Sequence, residues 1–117
     1  MSDFRELGYQ LKNEWSKSIA TYNKRLGADY DSKIDEGSGN RTSMIDGKPE
    51  ITQVEARLHH LGKILDEVSI IVNYDTLSFD VVRPKSEIES FPSQSIDIPE
   101  LVKQVITSLT ESREGSR

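Results

Sequence analysis

His59 and His60 are the chain's two histidines, and no cysteine accompanies them. An imidazole could act as a general base, as the partner of a serine nucleophile or as a metal ligand. Thiolate nucleophiles, disulfide frameworks and thiolate metal cages are excluded. The two histidines fall within a stretch whose apolar spacing reads as a helix. Adjacent helical residues diverge, so they do not supply the i, i+4 pair that a two-histidine metal site needs. Glu55, four residues before His59, would share its face as a weak surface pair.

Other chemistries are tested the same way. Asp29, Asp31, Asp35, Glu36 and Gly37 suggest a calcium loop. Counted from Asp29, however, the fifth position is Lys33 and the sixth is Ile34, where a ligand and a glycine are required. Gly37-Ser38-Gly39 has no following Lys-Ser/Thr and so is not a phosphate cradle. Asn40-Arg41-Thr42 fits the glycosylation triplet, but without a signal peptide it reads as a chance match. Ser86, three residues before Glu89, is a candidate phosphorylation site in a linker. Arg5, Lys12, Lys17, Lys24 and Arg25 make the first 26 residues net basic, but Asp3, Glu6 and Glu14 interrupt them, as on a solvated helix face. No catalytic, cofactor-binding or metal-ligating residue is therefore assigned, no cofactor is expected, and the chain reads as a non-enzyme.

Composition sets the bounds within which these residues must be positioned. The chain has 117 residues, a formal charge of −5, 34% hydrophobic residues and 30% charged ones. Its length suits one domain, and its apolar content falls short of the usual share of about 45–50%. A small core with unstructured segments is expected, as one domain over residues 1–110 and a disordered tail over 111–117. The acidic balance gives no general grip on nucleic acid. The longest aliphatic run, Ile70-Ile71-Val72, is far too short to span a bilayer. The opening Met1-Ser2-Asp3-Phe4 lacks the order of a signal peptide. A cytoplasmic protein is expected.

Three amphipathic helices are expected. The first runs from about Asp3 to Leu26, with Phe4, Leu7, Leu11, Trp15, Ile19, Tyr22 and Leu26 separated by 3, 4, 4, 4, 3 and 4 residues, close to the straight-helix period. Ser2 or Asp3 could cap its start and Gly27 its end. Residues 27–48 have no sustained apolar period and read as a long flexible loop, with Met44-Ile45 as an anchor back onto the core. The second helix follows Pro49-Glu50. Its seam is Ile51, Val54, Leu58, Leu61, Leu65, Val68 and Val72, with alternating spacings of 3 and 4, the heptad of a coiled coil. It is expected to stop near Glu67, followed by a short hairpin of residues 70–74 and 77–82 with Leu77, Phe79 and Val81 on one face. Residues 83–96 read as a linker. Asp97-Ile98-Pro99-Glu100 opens the third helix, whose face is Ile98, Leu101, Val102, Val105, Ile106 and Leu109.

The expected fold is therefore mainly α, with a small β contribution. The expected function is an acidic small subunit or adaptor that pairs with a protein partner, as a homo- or hetero-oligomer, through Trp15, Ile51, Val54, Leu58, Leu61, Leu65 and Val68. A purely intramolecular core would use the same residues. Two alternatives remain: an acidic regulator that masks another protein, as a secretion chaperone, an immunity protein or a phage-type inhibitor does, and a small carboxylate-dependent enzyme.

Overall fold

The computed structural model describes residues 4–25 and 32–115, with side chains described as far as Glu111. Helix α1 (Phe4–Arg25) is followed by strands β1 (Ser32–Thr42), β2 (Pro49–His60), β3 (Lys63–Asn73), β4 (Ser78–Val82) and β5 (Glu89–Pro92), a short 3₁₀ turn, and helix α2 (Ile98–Gly115). The strands form one antiparallel meander in the order β1-β2-β3-β4-β5. Both helices bury their apolar faces in one cluster with the inward side chains of the sheet. Among the described residues no helix is long and apolar enough to cross a membrane.

This architecture overturns the mainly α reading. The expected second helix and its coiled-coil seam are two strands, β2 and β3, joined by a two-residue turn at Leu61-Gly62. In a strand, residues an even number apart share a face, so the spacings of 4 are compatible with a sheet and the spacings of 3 are not. Each spacing of 3 has a local cause. Gly39 faces Gln53 and Asn40 faces Ile51, which leaves Thr52 as an extra residue on β2. Leu58 faces Asp66 and His59 faces Ile64, which leaves Leu65 as an extra residue on β3. Each bulge shifts the phase by one residue, and the tight turn supplies the third odd step. Leu61 and Gly62 both have positive φ, 53° and 76°, as a type I′ hairpin requires.

Inward-facing strand residues align across the sheet as Ile34 with Leu58, Ala56 with Val68, Val54 with Ile70, Ile70 with Val81 and Val72 with Phe79. All are buried. The other face is polar: Lys33, Asp35, Glu55, Arg57, His59, Glu67 and Asp80 project from it, the one-sided pattern of an antiparallel sheet.

The expected loop 27–48 contains β1, eleven residues long; residues 27–31 lie outside those described. With three residues of its sequence Gly or Ile and the rest polar, this strand has little intrinsic β-propensity, and it forms because β2 offers a full ladder and Ile34 a place in the core. Charges and glycines on a sheet edge also discourage pairing with other chains. The expected linker 83–96 holds β5 and the 3₁₀ turn, and the expected tail continues α2 to Gly115.

The two true helices match expectation. Leu11, Trp15 and Ile19 of α1 are buried, and Gly8 lets the helix approach the sheet, since a Cβ there would lie 3.4 Å from the Tyr74 hydroxyl and 3.6 Å from Ile51. The expected caps Ser2, Asp3 and Gly27 lie outside the described residues. In α2 all six expected core positions are buried. The Asp97 side chain accepts a hydrogen bond from the Glu100 amide at 3.1 Å, capping the helix.

Candidate functional site

The turn joining β1 to β2 carries the most exposed large apolar side chains among the described residues. Met44 is fully exposed and Ile45 is 97% exposed. The expectation that they anchor the segment onto the core is corrected: they point away from it. Lone surface hydrophobics need no explanation; these two stand on a turn that is held firmly from three sides.

The first support is the turn itself. The Ser43 amide donates to the Lys48 carbonyl and the Gly47 amide to the Ser43 carbonyl, both at 2.9 Å. Gly47 has φ 71°, which glycine adopts without steric cost. The second support comes from α1. Arg5 places its guanidinium 2.8 Å from the Asp46 carboxylate, and the Asp46 carboxylate also accepts the Lys48 amide at 3.0 Å. These hydrogen bonds, that from Arg5 first, hold the Asp46 carboxyl below the usual range. Tyr9, one turn further along α1, donates its hydroxyl to the Pro49 carbonyl.

The third support is a cross-strand ion pair. Arg41 and Glu50 face each other in register, and Arg41 Nε donates to Glu50 Oε1 at 2.7 Å. Glu50 is buried, with the Arg5 guanidinium 3.9 Å from its second oxygen. A buried carboxylate persists only with such compensation. The Arg41 guanidinium also lies 5.2 Å from the centroid of the Tyr74 ring, within cation–π range. Glu50 raises the Arg41 pKa, mainly through their hydrogen bond.

Tyr74 closes the floor. Its hydroxyl donates to the Ile51 carbonyl at 2.8 Å, and its ring meets Phe4 edge-on at 5.1 Å. Desolvation and then the nearby Glu50 carboxylate push its pKa up to about 12. Phe4, Arg5, Arg41, Glu50 and Tyr74, with Met44 and Ile45 of the turn, line a cleft of about 500 Å³ between the start of α1, the turn and the β3–β4 connection.

Arg5 and Arg41 are each paired with a carboxylate, Asp46 and Glu50 respectively, and the Asp75 carboxylate also lines the cleft. The phenol of Tyr74 stays protonated at neutral pH and is engaged as a donor, so it is not a base. Tyr, Arg and Met are, by contrast, the side chains enriched at protein interfaces.

The seven residues expected to form an interface lie elsewhere. Trp15, Ile51, Val54, Leu58 and Val68 are within the chain's own core, at most 3% exposed. Trp15 Nε1 donates to the Glu55 carbonyl at 2.9 Å, which satisfies the indole inside the fold. Leu61 and Leu65 are exposed near the β2–β3 turn. The histidines sit at the end of β2: His59 Nε2 is 2.8 Å from Asp35, and His60 Nδ1 is 2.5 Å from the hydroxyl of buried Ser32. Among the described residues no three His, Asp or Glu side chains cluster as a metal ion would need. Sequence reasoning missed the braced turn, although Asp46-Gly47 ahead of an alternating apolar stretch is a hairpin signal.

No known family, curated protein or solved structure matches this chain.

Proposed function

We infer that the protein is a non-enzymatic protein–protein interaction module, a small cytoplasmic subunit or adaptor, and that it docks through the β1–β2 turn. The observation that carries this reading is the full exposure of Met44 and Ile45 on a turn braced by Arg5–Asp46 and Arg41–Glu50. Bracing the backbone that carries two exposed apolar side chains removes part of the ordering cost that binding would otherwise incur. Docking by helix pairing is set aside, because α1 and α2 use their apolar faces on the sheet.

The test compares wild-type protein with Met44→Asp/Ile45→Asp as bait in an extract of the source cell. The double variant should melt within about 2 °C of wild type, because both side chains are solvent-exposed, and should lose the partner that wild type retains. Identical partner sets on the two baits would remove the turn from the interface and overturn this reading.

A further inference from the structure

A second surface lies at the far end of α1 from the braced turn, in the groove where α1 and α2 run side by side. Its volume is about 510 Å³. From α1 it takes Lys17, Thr21 and Arg25, spaced four residues apart, and from α2 it takes Lys103 and Thr107, with Ile106 as an apolar floor. Among the described residues no carboxylate lines it. That is unusual in a chain of net charge −5, and it contrasts with the cleft at the other end, where every arginine has an acidic partner.

The cations here are available. Lys17 has one weak contact, to Glu14 at 3.5 Å along the same helix. Arg25 and Lys103 make no ion pair with any described residue. The hydroxyl of Thr21 donates to the Lys17 carbonyl at 2.9 Å, and its oxygen can still accept a hydrogen bond.

We propose that this groove binds an acidic, extended segment of a partner polypeptide. Lys17 and Arg25 are eight residues apart, about 12 Å along a helix at 1.5 Å per residue. The positive charge is thus strung along the groove instead of converging on one point, as a single phosphate would require. Three cations also fall short of the roughly six to ten phosphate contacts that give a strongly salt-dependent grip on nucleic acid, and the acidic remainder of the chain opposes so dense a polyanion. A polypeptide with carboxylates every few residues matches the spacing, and its backbone amides can donate to the threonine oxygens. Ile106 offers one apolar contact between the charges.

The experiment uses the full chain and a fluorescein-labelled twelve-residue peptide of alternating Glu and Gly, followed by anisotropy at two salt concentrations. Wild type should bind, with affinity falling as salt rises. Arg25→Glu/Lys103→Glu should weaken binding about tenfold or more, since each exposed pair is worth up to about fivefold and each reversal adds repulsion. Lys103→Arg should retain it. Both positions are solvent-exposed, so the fold should survive, and unchanged circular dichroism checks this. Met44→Asp/Ile45→Asp should bind the peptide normally, which separates this surface from the turn. Absence of peptide binding, equal binding by the charge-reversed variant, displacement by inorganic phosphate at equal concentration, or tighter binding of a twelve-nucleotide single strand would each overturn the proposal.

Discussion

Helix α1 and the β2–β3 hairpin carry nearly the same spacing of large apolar side chains, and they bury them by different means. In α1 the steps of 3 and 4 come from one helical turn after another, and Leu11, Trp15 and Ile19 lie along one stripe. In β2–β3 the same steps come from even-numbered strand spacing interrupted by a bulge at Thr52, a turn at Leu61-Gly62 and a bulge at Leu65. Side-chain type decides between them. The hairpin is rich in Ile and Val, whose branched Cβ loses rotamer freedom in a helix and packs well on a pleated sheet. α1 holds Leu, Trp, Lys, Gln and Glu with few branched residues, and most of these favour the helix. Period alone is therefore a weaker witness than period taken together with branching.

The largest effects should separate residues that a single helical seam would treat alike. Leu58 is fully buried and Leu61 is 65% exposed. Leu58→Ala should cost about 2–5 kcal/mol of unfolding free energy, as should Trp15→Ala on α1 at about 3–5. Leu61→Ala should stay within about 0.5 kcal/mol. Urea unfolding of the three variants checks this, and equal losses at 58 and 61 would restore the seam.

Ala56 sharpens the comparison next. It lies off the helical stripe, two residues from both Val54 and Leu58, yet it is fully buried beneath the helices. On the outside of a helix Ala56→Leu would be harmless. In this core it should cost about 1–3 kcal/mol through overpacking, readable as a fall in the urea midpoint.

Ala56 also shows why part of the fold was legible and part was not. α1, α2 with its Asp97 cap, and the β3–β4 turn follow from local signals: a continuous helical period, a side chain that caps its own helix, and Asn73 accepting the amides of Asp75 and Thr76. Short-range chemistry decides these, so they can be read from a few adjacent residues. β1 cannot be read this way. Its ladder depends on β2, and its polar, glycine-bearing sequence suits a sheet edge as well as a loop. The bulges are also invisible locally, because an extra residue is defined only against the strand opposite. For the candidate site, Arg41 and Glu50 are nine positions apart and Arg5 and Asp46 forty-one; they meet only because the sheet and α1 bring them together. Met44 and Ile45 drew attention by type, but their direction depended on the hairpin.

Gly62 gives a prediction whose sign differs between the two structures. In a helix interior Gly→Ala would stabilise by about 1 kcal/mol. With φ at 76° and open space within 4 Å of where an alanine Cβ would sit, Gly62→Ala should destabilise by about 1–2 kcal/mol through backbone strain alone. Its thermal midpoint should fall while the far-ultraviolet circular dichroism is unchanged.

The smallest expected effect has the reverse logic at the neighbouring position. Leu61 holds a φ of 53°, which a bulky side chain adopts at a cost, and being mostly exposed it returns little burial. Asn tolerates that region better, and Asn-Gly is a preferred pair for a type I′ turn. Leu61→Asn should therefore raise stability by a few tenths to about 1 kcal/mol, whereas in a helix the lower propensity of Asn would reduce it. A higher urea midpoint at constant slope is the expected result. A lower one would mean that Leu61 makes an apolar contact worth more than the strain it carries, and the β2–β3 tip would then need to be treated as a packed surface like the core beneath it.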